Sequence, residues 1–335
     1  MGKIIGIDLG TANTLICMKG AGIVVRSPSV VAINKESREI ITQGNEAKQM
    51  LGKTPAGILA FRPMKDGVIT DADVTAGMLR NYLLHIGALS TFSRPLVLAS
   101  VPYGVTEVEK RAVEDAIFEA GARRVYLIDE PLAAALGSGL QIGGPRGTMV
   151  VDIGGGTTEV AVISMGGVVA SRSIRIAGDE LDEAIVSHLR ATRGVQVGPA
   201  TAELLKIRVG SAHPEAQRGK IAVSGMSLQR RMGVMVEVDS EEIREAVEES
   251  LNQIILAIKQ TLEQTPPELS SDLYDFGITL TGGGALLPGL GHMIFERTGV
   301  RVRVAKRPME SVCNGLLRII HSTDNPEEFL RHRER

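Results

Sequence analysis

The sequence predicts an α/β fold made of two related halves, each with a mixed β-sheet and flanking helices, sharing one cleft. Three observations predict it. Val150–Val162 reads as an apolar strand, a carboxylate (Asp152), the turn Gly154-Gly155-Gly156 with Thr157 and Thr158, and a second apolar strand. Ile5–Ile16 repeats that grammar, with Asp8 before Gly10, Thr11, Ala12 and Asn13. Strand-like runs alternate with helical periodicity through both halves, and internal repetition of this kind dictates architecture.

Each turn points to one chemistry. Consecutive glycines remove the side chains, so backbone N–H groups can approach an anionic oxygen closely. A carboxylate beside bare amides would repel a phosphate alone. It is consistent with a divalent cation held by carboxylate, water and phosphate oxygens. The alternative is a plain glycine hairpin, and the second copy argues against it.

Composition narrows the function classes. The chain has 335 residues, enough for two substantial cores, with 44% hydrophobic and 23% charged residues and a net charge of −2. That balance gives no electrostatic case for nucleic acid. Apolar stretches fall short of the roughly 20 residues a membrane span needs. A secretory leader is not expected, because Met1-Gly2-Lys3 runs straight into a strand. Cys17 and Cys313 are the only cysteines, consistent with a reducing compartment. The six histidines show no metal-ligand spacing and read as structural or surface groups.

The first hairpin leads to strand candidates at Ile23–Val25 and Val30–Ile33, and consecutive antiparallel strands imply a mixed sheet. Residues 44–65 read as irregular, with a short helix near Glu46–Leu51. Asp71 opens a helix whose apolar positions Val74, Met78, Tyr82 and Ile86 recur every four residues, ending at Gly87. The loop beyond carries Leu89 and Phe92, which either fold back into the core or form an exposed apolar pair. A strand at Leu96–Val101, a helix at Thr106–Ala120 and a strand at Arg124–Ile128 follow.

Pro131 suits a first helical position, so Glu130 sits where strand passes to helix, at the carboxyl edge where α/β sheets bind ligands. The alternative is that Asp129 and Glu130 merely cap the dipole of that helix. Gly143–Gly147 reads as the linker between halves. After the second hairpin come a strand at Val168–Ile176 and helices at Gly178–Arg193 and Pro199–Val209. Glu203 and Lys206 share a face of the latter, which alone indicates only a surface ion pair. Lys220–Ser224 and Val234–Val238 form a β pair, and Asp239 starts a helix with the core stripe Ile243, Val247, Leu251, Ile254, Ile258 and Leu262. Pro266-Pro267 ends it. A strand at Gly277–Thr281 then meets a third glycine turn, Gly282-Gly283-Gly284-Ala285, which lacks a preceding carboxylate and suits the nucleoside end of a ligand. A helix near Leu290, a strand at Val300–Val304, a helix from Met309 to about His321 and a solvated charged tail complete the chain.

Lined up, these stretches resemble the bacterial actin homologues of the MreB/Mbl family, within the actin, Hsp70 and sugar-kinase ATPase superfamily. The resemblance rests on Ile7–Leu15, Pro63–Ile69, Ala120–Arg124, Ile128–Pro131, Met149–Val162, Ala177–Asp179, Thr265–Leu269 and Leu280–Leu287. It implies an actin-like ATPase fold with nucleotide in the interdomain cleft. Domain I would cover residues 1–145 plus 310–335, with a small subdomain near 29–64. Domain II would cover 146–309, with a small subdomain near 181–238.

Carried over by position, the resemblance implies that Asp8 and Asp152 hold Mg2+, largely through water. Thr11, Ala12 and Asn13 would cradle the phosphates of ATP (or GTP) from one side, and Gly154, Gly155, Gly156 and Thr157 from the other. Glu203, Leu204, Leu205 and Lys206 would contact the nucleoside, Gly282, Gly283, Gly284 and Ala285 the base and α-phosphate. Glu130 would orient the attacking water. It further implies a slow Mg-dependent ATPase that polymerises into antiparallel double protofilaments. These would sit in the cytoplasm at the inner face of the cell membrane, contacting lipid through Leu89 and Phe92. Its partners would be the cell-wall elongation machinery and membrane morphogenesis proteins, with no nucleic acid. Tyr103, where the family usually has Ser, the basic Lys306-Arg307 pair and Leu317 in place of an expected glycine depart from the pattern. A chaperone-type ATPase switch or a small-molecule kinase is the alternative, although the chain leaves no length for a separate peptide-binding domain.

Overall fold

The computed structural model describes residues 3–90, 93–216 and 218–322. Two five-stranded sheets with the same strand order form the frame. In the first, β1 (Ile4–Leu9), β2 (Asn13–Met18) and β3 (Gly22–Pro28) make an antiparallel meander. On the other side of β1, β4 (Leu96–Val101) and then β5 (Arg124–Asp129) add in parallel. The second sheet repeats the plan: β6 (Thr148–Ile153), β7 (Thr158–Ser164) and β8 (Gly167–Ile174) form the meander. Strands β9 (Ile278–Thr281) and β10 (Val302–Val304) add in parallel beyond β6. Strands β1 and β6 are therefore central in their sheets. Covered on both faces, they are written as apolar runs rather than alternating patterns.

Helices fill the faces. The first large core lies under α1 (Ala72–His85) and α2 (Glu107–Glu119), which Asp71 and a Thr106–Glu109 capping box start. Between the two sheets lies α3 (Glu130–Gly137). The second large core takes in α4 (Gly178–Arg193), α5 (Pro199–Val209) and α6 (Ser240–Gln264), whose stripe Ile243, Val247, Leu251, Ile254 and Ile258 is fully buried. Each such aliphatic side chain contributes about 1.5–3 kcal/mol by leaving water. Helix α7 (Pro267–Phe276) packs on β6, and α8 (Leu290–Thr298) packs on the edge strand β10.

The last described helix, α9 (Ser311–Ser322), returns to the first half and packs on α3 and β1. Its backbone meets that of α3 directly. A Cβ on Gly315 would lie 1.9 Å from the Ala133 carbonyl oxygen, and one on Gly137 would lie 1.7 Å from that of Ser311. Only glycine fits at such a crossing.

Each half also carries a small three-stranded sheet. Val31–Asn34 lies between Ile40–Gln43 and Ile58–Phe61, beside the helix Asn45–Met50. In the second half Lys220–Ser227 lies between Val195–Gln196 and Gly233–Asp239.

Residues 44–65, read from sequence as irregular, thus contain a strand at Ile58–Phe61. It has only four residues and no alternation of buried and exposed side chains, so period gave no signal. Pro266-Pro267 ends α6 as expected but also opens α7, with Pro267 at a first helical position where a missing N–H costs nothing. The charged tail lies outside the described residues. Among those residues no helix is long and apolar enough to cross a membrane.

Candidate functional site

The carboxyl ends of β1 and β6 open into one cavity of about 550 Å³ between the halves. Asp8 and Asp152, the acids that end these strands, both line it and are both buried. Each has a hydroxyl beside it from the parallel neighbouring strand. Ser100 Oγ on β4 donates to Asp8 Oδ1 at 3.5 Å, and Thr281 on β9 is in register with Asp152, its hydroxyl donating to the Val151 carbonyl at 3.4 Å.

The turns press against each other. A Cβ on Gly155 would lie 2.6 Å from the Ala12 Cβ, and one on Gly156 would lie 2.8 Å from Thr11 Oγ1 and from the Asp66 backbone nitrogen. Thr11 is itself fixed, its hydroxyl accepting from the Gly67 N–H at 2.9 Å. The hairpin turns therefore meet at their backbones, leaving amides rather than side chains at the cavity wall. Gly282, at φ 78°, brings the third turn against β6; a Cβ there would lie 2.4 Å from Asp152 Oδ1.

Two further acids face the same space. Glu130 begins α3 at the end of β5 and is half-buried. Glu159 stands opposite Asp152 in the β6–β7 register, is 2% exposed, and accepts from the Tyr103 N–H at 3.0 Å. Its Oε2 has no hydrogen-bond partner. Asp8 is pushed up to about 7, first by burial and then by the charge of Asp152, against the pull of the Ser100 hydroxyl. Burial likewise pushes Asp152 up to about 7, against the pull of the neighbouring Thr281 hydroxyl. Glu130 is held well above the ordinary carboxylate range by burial and by the charges of Glu159, Asp8 and Asp152. Glu159 is raised by burial and by Asp152, against the Tyr103 N–H. No Lys or Arg acts on any of the four among the described residues. Four oxygen donors without a cationic partner fit a hard divalent ion of the magnesium type.

The far end of the cavity is polar and paired. Lys206 Nζ lies 2.8 Å from Asp182 and donates to the Gly178 carbonyl at 2.6 Å. Glu203 is bound by Lys48 at 2.8 Å, and Asp179 by Arg62 at 2.5 Å. Lys48 and Arg62 belong to the small-sheet segment of the first half, so these ion pairs clasp the two halves across the cavity mouth.

Of the residues singled out from sequence, Asp8, Thr11, Ala12, Asn13, Glu130, Asp152, Gly154, Gly155, Gly156, Thr157, Glu203, Lys206, Gly282, Gly283 and Gly284 all line this cavity. Leu204, Leu205 and Ala285 do not. On α5 the cavity face is Glu203, Lys206 and Ile207, at spacings of three and four. Leu205 and Ala285 turn into the core, and Leu204 is partly exposed. Leu89 is half-buried on the first core, with its side chain against Gly121; Phe92 lies outside the described residues.

Glu159, Asp182, Arg62 and Arg218 line the cavity and were not singled out from the sequence. For Glu159 a signal existed, since it is an acid that directly precedes the apolar run Val160–Ile163 within one strand, β7.

Comparison with known proteins agrees with this geometry. The family model for MreB/Mbl protein matches residues 2–328. The chain is 49% identical over 317 residues to the cell shape-determining protein MreB of Escherichia coli (strain K12), covering 93% of this chain and 91% of the relative. It is 46% identical over 311 residues to the cell shape-determining protein Mbl of Bacillus subtilis (strain 168), covering 93% of each. Among solved structures, MreB5 of Spiroplasma citri bound to AMPPNP superposes with a TM-score of 0.92 at 33% identity, covering 96% of this chain and 97% of that one. The MamK double helical filament superposes with a TM-score of 0.81 at 21% identity, over 96% of this chain and 99% of that one, which supports the shared fold. With its duplicated sheets and hairpins of the actin-like ATPase fold, the chain belongs to the MreB/Mbl family of cell shape-determining proteins.

Proposed function

We propose that this protein binds Mg-ATP between its two hairpins, hydrolyses it slowly, and uses the nucleotide to control assembly into filaments. The observation that supports this most is the juxtaposition of Gly155 and Gly156 with Ala12 and Thr11, beside three buried acids and the half-buried Glu130, which no basic side chain neutralises among the described residues. Backbone amides of both turns would bind the phosphates, and Asp8 and Asp152 would hold the magnesium ion. When bound, that ion neutralises charge on the phosphate oxygens. Phosphoryl transfer asks little covalent help of the protein beyond such neutralisation and an in-line nucleophile.

Glu130 is the residue that supplies the second. At the start of α3 it faces the cavity, and its raised proton affinity suits a group that orients a water and takes up its proton. Glu203, Lys206 and Ile207 form the wall available to the nucleoside, and Gly282–Gly284 the wall beside the base and α-phosphate. AMPPNP and ADP bound to MreB5 of Spiroplasma citri support the nucleotide assignment.

The same proposal covers filaments at the inner membrane face that organise wall synthesis. The MamK filament supports self-association. Lipid contact would use the loop of Leu89 and Phe92. Leu89 is half-buried on the core, so each subunit would offer little apolar surface, and attachment would depend on many subunits in one polymer. Sedimentation and electron microscopy with ATP, with GTP, and with ATP plus anionic vesicles test the reading. Filaments in ATP that co-sediment with vesicles support it; a monomer in every condition overturns it.

A further inference from the structure

Outside the cleft, on the second half, two histidines that are distant in sequence come together. His213 lies in the turn after α5, and His292 lies on α8. Their rings stack with centroids 4.2 Å apart. The nitrogens are sorted by side. Both Nε2 atoms face the carboxylate of Glu296, at 3.4 Å for His213 and 3.3 Å for His292. On the opposite side His213 Nδ1 accepts from the Glu215 N–H at 3.3 Å, and His292 Nδ1 lies 4.0 Å from Glu215 Oε2. Ligand atoms of His213, Glu215 and His292 all lie within 4.8 Å of one another.

We infer that His213, Glu215 and His292 form a site for one divalent transition-metal ion of the zinc type. Two imidazoles and a carboxylate are a donor set such ions favour, and three protein ligands leave a fourth position for water. The arrangement also supplies the outer support that metal-binding histidines carry, in which the second ring nitrogen donates to a carboxylate. Glu296 is placed to accept from both rings. Capture requires the rings to splay out of their stack and the His213 Nδ1 lone pair to give up the Glu215 N–H, and the side chain of His292 is half-exposed. Transition-metal preference separates this site from the all-oxygen acids of the cleft, which suit magnesium.

The location gives the ion a structural role. The Ala212 N–H donates to the Pro288 carbonyl at 2.7 Å, and Pro288 and Arg218 both line the cavity. An ion joining the 212–216 turn to α8 would fasten two parts of the cavity wall together.

The test uses the full chain, freed of metal and titrated with Co2+ in the absence of nucleotide. The expected result is an intense visible absorption of four- or five-coordinate cobalt that saturates at one equivalent, apart from any weakly absorbing six-coordinate cobalt at the cleft acids, and is abolished by Zn2+. His213→Ala combined with His292→Ala should weaken this binding by at least ten-fold. Glu296→Gln should weaken it by roughly ten-fold while keeping the spectrum. Asp8→Asn with Asp152→Asn, which removes cleft acids, should leave it unchanged. Absence of that absorption in the wild-type chain, or its persistence in the folded double-histidine variant, overturns the site.

Discussion

Asp8 and Asp152 occupy the same position in two copies of one sheet. Each ends the central strand, each is buried, and each has a hydroxyl neighbour on the adjoining parallel strand, Ser100 for one and Thr281 for the other. The duplication brings two like charges to one cavity, so without a cation the folded protein carries a penalty that ligand binding relieves.

That penalty has a sign and a pH window. Both acids have folded values raised from 3.8 to about 7. Their protonated forms suit the fold, so the nucleotide-free protein keeps full stability below about pH 4 from this source and loses stability as pH rises towards 7. At roughly 1.4 kcal/mol per unit, Asp152→Asn should stabilise the nucleotide-free protein by a few kcal/mol at pH 8 and by little at pH 4. Thermal melts at the two pH values check this. Equal shifts at both would contradict it.

Removing the metal should show the converse dependence. Protons compete with a cation for Asp8 and Asp152, so magnesium should raise the melting temperature more at pH 8 than at pH 6. Melts of EDTA-treated protein with and without added magnesium measure it.

Glu130→Ala should retain nucleotide affinity and lose turnover by about 10²-fold or more, the usual scale for a positioned general base. Phosphate release under single-turnover conditions, alongside equilibrium binding of a fluorescent nucleotide, separates the two effects. Unchanged turnover would remove the role given to Glu130.

Gly155→Ala should part the hairpins, since its Cβ would meet Ala12 at 2.6 Å. Nucleotide affinity should fall by ten-fold or more, a loss of about 1.4 kcal/mol. Urea unfolding should change less than binding does, because the turn lies at the cavity wall and not in a core.

Lys48→Ala and Arg62→Ala should loosen the clasp over the cavity mouth. The four side chains are about a quarter to a third exposed, and such pairs contribute up to about 1 kcal/mol. Nucleotide release should therefore speed up by up to about five-fold, and added salt should reduce the difference from wild type. Stopped-flow chase of a fluorescent nucleotide reads both.

Much of this site was legible in the sequence because its parts are local. The Asp-x-Gly hairpins, the Glu130-Pro131 strand-to-helix junction and the third glycine turn each carry their signal within a dozen residues. Side-chain direction on α5 was less legible. Four consecutive residues cannot share a helix face, so Glu203 and Lys206 reach the cavity while Leu204 and Leu205 turn away. Long-range pairings were not legible at all. Lys48 with Glu203 and Arg62 with Asp179 depend on how the two halves come together, and His213 with His292 on how distant segments of the second half pack, and no spacing encodes either.

The most direct test of the paired-hairpin site is anomalous diffraction from crystals grown with Mn2+ and AMPPNP. One manganese peak between the Asp8 and Asp152 carboxylates, with phosphates against the amides of 11–13 and 154–157, is the expected result. Asp8 and Asp152 without a shared ion, or a nucleotide bound away from both turns, would contradict it.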